Sequence, residues 1–170
     1  MPKTEADLFA TLDALGIDHR TVDHAPLYTV EDSQRLRGEL DGLHIKNLFL
    51  RDKKKRLWLC TVEEDRIVDL KALKQRLGAQ GNLSFGNPEL LMEVLGVIPG
   101  AVTPFGVIND TDRQVTMVLD ADIPTAETVN CHPLRNDRTT AVSGAGLMAF
   151  LKDQGYDPLL IDFTEPLTDA

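Results

Sequence analysis

A lysine inside an apolar strand pattern is the first residue of this sequence that could take part in chemistry. The run from His44 to Leu50 is apolar apart from a few polar positions, and Lys46 lies within it. Strand alternation places Lys46 on the face of Leu48 and Leu50, which is otherwise suited to burial. A partly desolvated ammonium can hold a carbonyl or phosphate oxygen more strongly than an exposed one. The alternative is a strand-end lysine whose stem packs while its tip reaches water.

A loop rich in glycine and proline follows about fifty residues later. Five of the eleven residues from Gly96 to Gly106 are Gly or Pro, yet the loop is also apolar enough to be ordered. Pro99 presets φ and Gly100 permits a positive φ, so the pair predicts a type II turn. With Lys46, the loop predicts a backbone-lined pocket for an anion or a carbonyl group. A tight connection packed under the core is the other interpretation.

Basic residues are concentrated in one short segment of an otherwise acidic chain. The net charge is −9, from 18 Lys and Arg against 27 Asp and Glu, whereas five of the six positions from 51 to 56 are basic. Such a chain can bind nucleic acid only where its basic edge is presented, which favours weak and salt-sensitive docking. Lys53, Lys54 and Lys55 are therefore candidate nucleic-acid-binding residues. A solvated hairpin turn is the alternative.

The histidines and cysteines do not predict a metal site. His19 and His24 have no Cys-x-x-Cys pair to accompany them, and Cys131-His132 is too isolated to complete a zinc set. A Cys/His nucleophilic pair stays open, although a cysteine inside an apolar strand, such as Cys60, is usually inert. The chain has no dinucleotide fingerprint, no phosphate-binding Gly-Lys-Ser/Thr and no Gly-x-Ser-x-Gly. No cofactor is predicted.

Length and composition predict one globular domain. The 170 residues are 42% hydrophobic and 26% charged, which is ordinary for such a domain. We expect the domain to span residues 1–170, with an acidic and loose tail over 164–170. No stretch approaches the ~18 apolar residues of a membrane span, and the first residues fit neither a signal nor a transit peptide. A cytoplasmic location is therefore expected, with both cysteines reduced.

Hydrophobic periodicity, caps and turn residues predict an irregular alternation of helices and strands. We expect helices over residues 5–15, from 29 onwards, and over 70–77, 88–95 and 143–154. We expect strands over 17–22, 45–51, 56–62, 107–108, 114–119, 139–142 and 158–163. The order includes a hairpin and no βα repeat, so the fold class is α+β, with a mixed, largely antiparallel sheet and helices packed around it.

Four motifs in sequence order resemble a known family. They are residues 23–31, residues 45–50, the Gly96–Gly106 loop, and Asn130-Cys131-His132-Pro133-Leu134 followed by Asn136. They resemble the YbaK/prolyl-tRNA-synthetase editing-domain family of aminoacyl-tRNA deacylases, and the resemblance covers about residues 8–163. Lysine-asparagine on a strand, combined with Gly-x-x-Pro-Gly, is its most specific part. Free-standing proteins that clear alanine from tRNA for proline look most similar, followed by those that act on cysteinyl-tRNA for proline.

The resemblance implies a YbaK-like fold and a trans-acting editing hydrolase. Lys46 would anchor the reacting end of the ester, and the loop backbone at Gly96, Pro99 and Gly100 would orient it. The terminal ribose hydroxyl of the tRNA would help to activate water, so that no protein base is required. The implied substrate-binding residues are Tyr28, Ile45, Asn47, Ala101, Phe105 and His132.

The implied partners are the acceptor end of a mischarged tRNA and, as a further candidate, prolyl-tRNA synthetase. Binding to a membrane is not expected. A proline-sized synthetase pocket cannot strongly exclude alanine, because missing methylenes cost only ~1–3 kcal/mol of binding. A second hydrolytic site of smaller size solves that problem. The alternative of a different class is a non-catalytic module that keeps the fold and binds tRNA, a synthetase or another protein.

Overall fold

The structure, a computed structural model, describes residues 2–25 and 40–164. The helix predicted from residue 29, the candidate substrate-binding residue Tyr28 and the tail after residue 164 lie outside the described residues. None of the helices in the described ranges is long and apolar enough to cross a membrane.

Eight strands and four α-helices make up the regular structure of these ranges. The strands are β1 (Arg20–Asp23), β2 (Leu43–Arg51), β3 (Leu57–Glu63), β4 (Ser84–Phe85), β5 (Val115–Asp120), β6 (Val129–Cys131), β7 (Arg138–Val142) and β8 (Leu159–Ile161). The helices are α1 (Glu5–Ala14), α2 (Leu70–Leu77), α3 (Pro88–Leu95) and α4 (Gly144–Asp153), with 3-10 turns at Pro99–Ala101 and Pro104–Asn109.

The strands form one mixed sheet in the order β1-β7-β6-β2-β3-β5-β8, and β4 pairs with β2. Four of the seven strand pairs are antiparallel and three are parallel. This confirms the predicted α+β class and the largely antiparallel sheet. On the side of β2 away from β3, β6 pairs with its first residues and β4 with its last ones. Residues 45–49 therefore have no strand partner on that edge within the described structure.

The two faces of the sheet carry separate hydrophobic cores. On the first face, strand residues such as Leu59 and Val129 pack with Leu8 of α1 and Leu147 of α4. On the opposite face, Leu50, Trp58 and Cys60 pack beneath Leu73 of α2. We call these the first face and the second face. The second core covers only the β2-β3-β5-β8 part of its face.

Local signals account for the helix boundaries. Asp69 accepts a hydrogen bond from the amide of Lys71 at the start of α2, and Gly78 closes that helix with a left-handed φ of 66°. Asn87 caps α3, whose first residue is Pro88. Both helices run over the predicted residues.

One predicted strand is wrong, and two short strands were not predicted. Val107 and Ile108 lie in the 3-10 turn Pro104–Asn109, which begins where the Thr103 hydroxyl accepts a hydrogen bond from the amide of Phe105. An apolar pair has no periodicity that could separate a strand from a buried turn. The strands β4 and β6 are two and three residues long, too short to carry an alternation signal.

Candidate active site

Lys46 lies on the second face of the sheet, at the margin of its hydrophobic core. It pairs with Val62 of β3, is half-buried, and donates a hydrogen bond from Nζ to the carbonyl of Arg66. An ammonium has three N–H donors, and this carbonyl is its one hydrogen-bond acceptor in the described part of the chain. Within the described residues, two of its three N–H donors are therefore left for a further oxygen.

Strand register brings His132 to the face of Lys46. The parallel pairing of β2 with β6 places His44 beside Asn130. Side chains two residues apart on a strand share a face, so Lys46 follows His44, and His132, the residue after β6, follows Asn130. His44 and Asn130 are buried, whereas Lys46 and His132 are half-buried. The register thus puts two predicted site residues, both half-buried, on the same face of the sheet.

Hydrogen bonds fix the tautomer of His132. Its Nδ1 lies 3.2 Å from the carbonyl of Arg138, which can only accept, so Nδ1 carries the hydrogen. Burial lowers the pKa of His132; the Arg138 carbonyl opposes this shift, and the nearby His24 adds to it. The ring is therefore neutral near pH 7, and its Nε2 presents a lone pair. The ring of His24 is 6.5 Å away, with its own Nε2 2.8 Å from the hydroxyl of Thr139.

Ion pairs hold the segment that carries His132. Arg138, whose carbonyl meets His132, donates from its guanidinium to Glu5 of α1 at 2.9 Å and to Asp23 of β1 at 2.7 Å. Arg135 bonds the other oxygen of Glu5 at 3.1 Å. One carboxylate of α1 therefore anchors both arginines and, through them, the chain that presents His132.

Asn47 lies on the opposite face from its neighbour Lys46. Its Nδ2 donates to the carbonyl of Val102 at 3.0 Å, and its Oδ1 accepts from the hydroxyl of Thr61 at 2.6 Å. Both ends of the amide are therefore engaged within the protein. Asn47 attaches the Gly96–Gly106 loop to the unpaired edge of β2, which is the edge beside Lys46.

The turn predicted in this loop has a different geometry. Pro99, Gly100 and Ala101 form a 3-10 turn closed by the amide of Ala101 on the carbonyl of Ile98 at 2.9 Å, and Gly100 has no positive φ. The predicted type II turn is wrong. A 3-10 turn forms the same hydrogen bond from the amide of Ala101 to the carbonyl of Ile98 without a positive φ at Gly100. The residue with the left-handed φ is Gly96, at 67°.

Three candidate wall residues lie away from the face of Lys46. Ile45 is half-buried on the first face, and Ala101 and Phe105 are fully buried in the first core, where Phe105 packs edge-to-face on Phe150. In this conformation Ala101 and Phe105 have no surface with which to contact a ligand. Among the described strands, Ile45 has no partner on the edge of β2 away from β3.

Comparison with known proteins places these features in a family. A model of the aminoacyl-tRNA editing domain matches residues 24–150. The chain belongs to the aminoacyl-tRNA editing domain family. It is 38% identical over 154 residues to prolyl-tRNA synthetase associated domain-containing protein 1 of Danio rerio, covering 89% of this chain and 83% of that protein. It is 36% identical over 149 residues to the prolyl-tRNA editing protein ProX of Acetoanaerobium sticklandii, covering 87% and 90%.

Solved structures share the fold of this editing domain. A structure described as a candidate trans-editing enzyme for prolyl-tRNA synthetase superimposes with a TM-score of 0.71 at 18% identity, over 98% of this chain and 99% of that one. A hypothetical protein, APE2540, gives a TM-score of 0.70 at 17% identity, over 93% and 97%. The predicted YbaK-like architecture is thereby confirmed.

Sequence reasoning missed a charged cluster that positions the acceptor of Lys46 in the editing domain. Asp120 is fully buried and accepts hydrogen bonds from Nε of Arg66 at 2.9 Å and from the amide of Glu63 at 3.1 Å. The carboxylate of Asp120 raises the pKa of Arg66, which also bonds Asp122. Arg66 and Asp120 are far apart in the chain, and nothing in their spacing indicates the pair.

The basic turn of the editing domain is built around a buried carboxylate. Asp52 accepts hydrogen bonds from the amides of Lys54, Arg56 and Gln80 and from Nε of Arg56, all between 2.9 and 3.0 Å. Burial would raise its pKa, but these donors outweigh burial and lower it. The side chains of Lys53, Lys54 and Lys55 are left exposed on an ordered turn.

The cysteines of the editing domain are poorly suited to nucleophilic chemistry. Cys60 is fully buried, and burial raises the pKa of its thiol to about 12. Burial likewise raises the pKa of the Cys131 thiol. Since the thiolate is the nucleophile, neither residue supplies one near neutral pH. In the described residues, no group of three or more His, Cys, Asp or Glu side chains could hold a metal ion.

Proposed function

We propose that this protein is a trans-acting editing hydrolase that deacylates mischarged tRNA for proline, with alanyl-tRNA as its preferred substrate. The family and the names of its relatives support an editing role connected with prolyl-tRNA synthetase. The observation that carries the proposal is Lys46, a half-buried ammonium with spare donors on the face that also presents His132. A cytoplasmic location and contact with the synthetase belong to the same proposal.

The chemistry needs a polarised ester and a water molecule more than a strong protein nucleophile. The ammonium of Lys46 donates to the carbonyl oxygen of the ester, where negative charge develops as water adds. The ester C–O bond then breaks, the ribose oxygen takes a proton, and the products are the free amino acid and the tRNA hydroxyl. The neutral Nε2 of His132 accepts a hydrogen bond from a substrate donor. The neighbouring ribose hydroxyl helps to activate the water.

Selection between alanine and proline is proposed to rest on size. A pocket that fits a methyl group excludes a pyrrolidine ring by overlap, whereas a synthetase pocket built for proline rejects alanine only weakly. Ile45, at the unpaired edge of β2, and Tyr28 are the candidates that we keep for its walls. Replacing either by Ala should broaden acceptance rather than abolish hydrolysis.

A deacylation panel tests this function. Alanyl-, cysteinyl-, seryl- and prolyl-tRNA for proline are incubated with the purified protein, and the remaining ester is followed over time. We expect alanyl-tRNA to be hydrolysed faster than cysteinyl- or seryl-tRNA, and prolyl-tRNA to be spared. Faster hydrolysis of cysteinyl-tRNA would move the protein to the neighbouring specificity. Hydrolysis of none of the four would favour the non-catalytic binding module.

A further inference from the structure

An exposed aromatic side chain lies beside the basic turn. Phe85 of β4 keeps 60% of its surface exposed, although a phenyl ring favours burial. Its strand partner is Leu50, and the next pair joins Ser84 to Arg51, directly before the turn. Residues opposite each other in a sheet share a face, so Phe85 projects on the second face, as Lys46 does.

The backbone around Phe85 is fixed. In addition to the ladder of β4 with β2, the amide of Gly86 donates to the carbonyl of Phe49 at 2.9 Å. A Cβ at Gly86 would collide with the ring of Phe49, so the chain packs closely at this point. The phenyl group is therefore carried by an ordered edge, and its exposure is built into the sheet.

We propose that Phe85 is a stacking platform for an unpaired base at the 3′ end of the bound RNA, between the ester site at Lys46 and the phosphates held by the basic turn. This inference rests on the proposed function. Bases stack on exposed aromatic rings without sequence preference, and neighbouring lysines hold the backbone, which is the usual combination in single-strand binding.

The distances along β2 agree with this path. Lys46 and Leu50, the partner of Phe85, are four residues apart, which is ~13 Å at ~3.3 Å per residue. Stacked nucleotides rise ~3.4 Å each, so this distance spans at most about four of them, and fewer if the strand is extended. The unpaired 3′ end of a tRNA has that length. Lys53 lies two residues beyond the end of β2, in the turn where the paired stem would begin.

The charges at this end of the sheet favour RNA over an apolar protein partner. Lys53, Lys54 and Lys55 are exposed in the turn that follows Arg51, and the strand partner of Arg51 is Ser84, the residue before Phe85. The chain as a whole has a net charge of −9. The amide of Lys53 bonds the carbonyl of Gln80, and Nη2 of Arg56 bonds the carbonyl of Gly78. These bonds bring the end of α2, with Lys74 and Arg76, against the same turn.

The test measures binding of two uncharged RNA hairpins that copy the acceptor stem, one with its unpaired CCA end and one cut flush with the stem. Phe85→Ala should weaken binding of the first hairpin by about 5- to 150-fold and leave the second unchanged. Phe85→Tyr should keep wild-type affinity. The joint replacement of Lys53, Lys54 and Lys55 by Ala should weaken binding of both hairpins. Leu160→Ala, an exposed apolar residue on β8, is the matched control and should change neither.

Abasic nucleotides placed one at a time along the unpaired end then locate the contact. One of them, upstream of the terminal adenosine, should remove the difference between wild type and Phe85→Ala. Equal affinity of wild type and Phe85→Ala for the CCA-ending hairpin would overturn the inference, as would an equal loss on the flush hairpin. Because the RNAs carry no amino acid, these results are independent of hydrolysis. Stacking without any deacylation would refute the proposed reaction and leave this inference standing.

Discussion

The two ends of β2 both carry polar groups, and they use them in opposite ways. At the end of the strand, the carboxylate of Asp52 receives four hydrogen bonds from the turn that surrounds it. Near the start, Lys46 has one carbonyl acceptor among the described residues, and Nε2 of His132 keeps its lone pair. Both regions place polar groups at or near a buried surface. Among the described residues, only the second keeps hydrogen-bonding groups that are not already used within the protein.

The difference separates scaffold from site. A buried polar group that is fully hydrogen-bonded stabilises the geometry around it, and a ligand has nothing to bind there. A half-buried group with unused donors or a free lone pair gains free energy when a complementary oxygen or N–H arrives. By this criterion Asp52 and Asn47 are scaffold, whereas Lys46 and His132 are the residues that we propose for the site.

The largest effect is expected from removing the ammonium. Lys46→Ala should lower the rate of alanyl-tRNA hydrolysis by roughly 10²–10³, equivalent to ~2.7–4 kcal/mol of barrier, because it removes the group that stabilises the developing charge. The melting temperature should change little, since one hydrogen bond to Arg66 is lost. Single-turnover rates measure the effect, with Lys152→Ala on α4 as the exposed-lysine control. A folded Lys46→Ala protein that hydrolyses alanyl-tRNA at the wild-type rate would remove Lys46 from the mechanism.

The converse substitution tests the scaffold end. Asp52→Ala should lower the melting temperature by several degrees, because three amides and a guanidinium lose their common acceptor in a buried turn. The single-turnover rate at saturating alanyl-tRNA should stay near that of wild type, since the turn is about 20 Å from Lys46 along the strand. Thermal unfolding and the same rate assay measure both quantities. A large loss of rate without loss of stability would reverse the assignment of the two ends.

The sequence predicts most of the fold and names candidate residues for the site, but not how those residues are arranged. The caps Asp69 and Asn87 and the stops Gly78 and Gly96 have local causes, so helices α2 and α3 were predicted with their ends. The position of Lys46 and His132 on one face depends on the parallel pairing of β2 with the three-residue strand β6, which no local pattern indicates. The Arg66–Asp120 contact depends likewise on the full topology.

The next prediction concerns two glycines of the loop. The sequence predicts a positive φ at Gly100, whereas the structure has it at Gly96. Gly96 has φ of 67°, and a Cβ there would collide with the side chain of Asn109, so Gly96→Ala should destabilise the protein by about 1–3 kcal/mol. Gly100→Ala should cost less, because its turn is right-handed. Chemical denaturation of both variants measures the difference. Equal destabilisation would contradict the conformation described for Gly100.

The smallest expected effect is the loss of stability at mildly acidic pH that the protonation of His132 causes. Because burial and His24 lower the pKa of His132 below its ordinary value of 6.5, the folded protein favours the neutral ring more than the unfolded chain does. The resulting stability is present above pH 6.5 and is lost as the pH falls through the folded pKa. Asp52, Asp137 and Asp162, whose pKa values are also lowered, would contribute only below their ordinary value near 3.8.

The range between pH 7.5 and 5 therefore isolates the imidazole. Wild type should lose more thermal stability over that range than His132→Gln, which cannot titrate. The hydrolytic rate of the wild type should fall in the same range, since protonation removes the lone pair of Nε2 that we propose accepts a hydrogen bond from the substrate. His24→Gln should lose less stability than wild type over this range, because it removes one of the two contributions that lower the pKa of His132 and leaves burial and the carbonyl of Arg138 in place. Parallel stability curves for wild type and His132→Gln would mean that the folded protein accommodates the protonated ring of His132 as well as the neutral ring. His132 would then be a structural residue and not a residue of the proposed site.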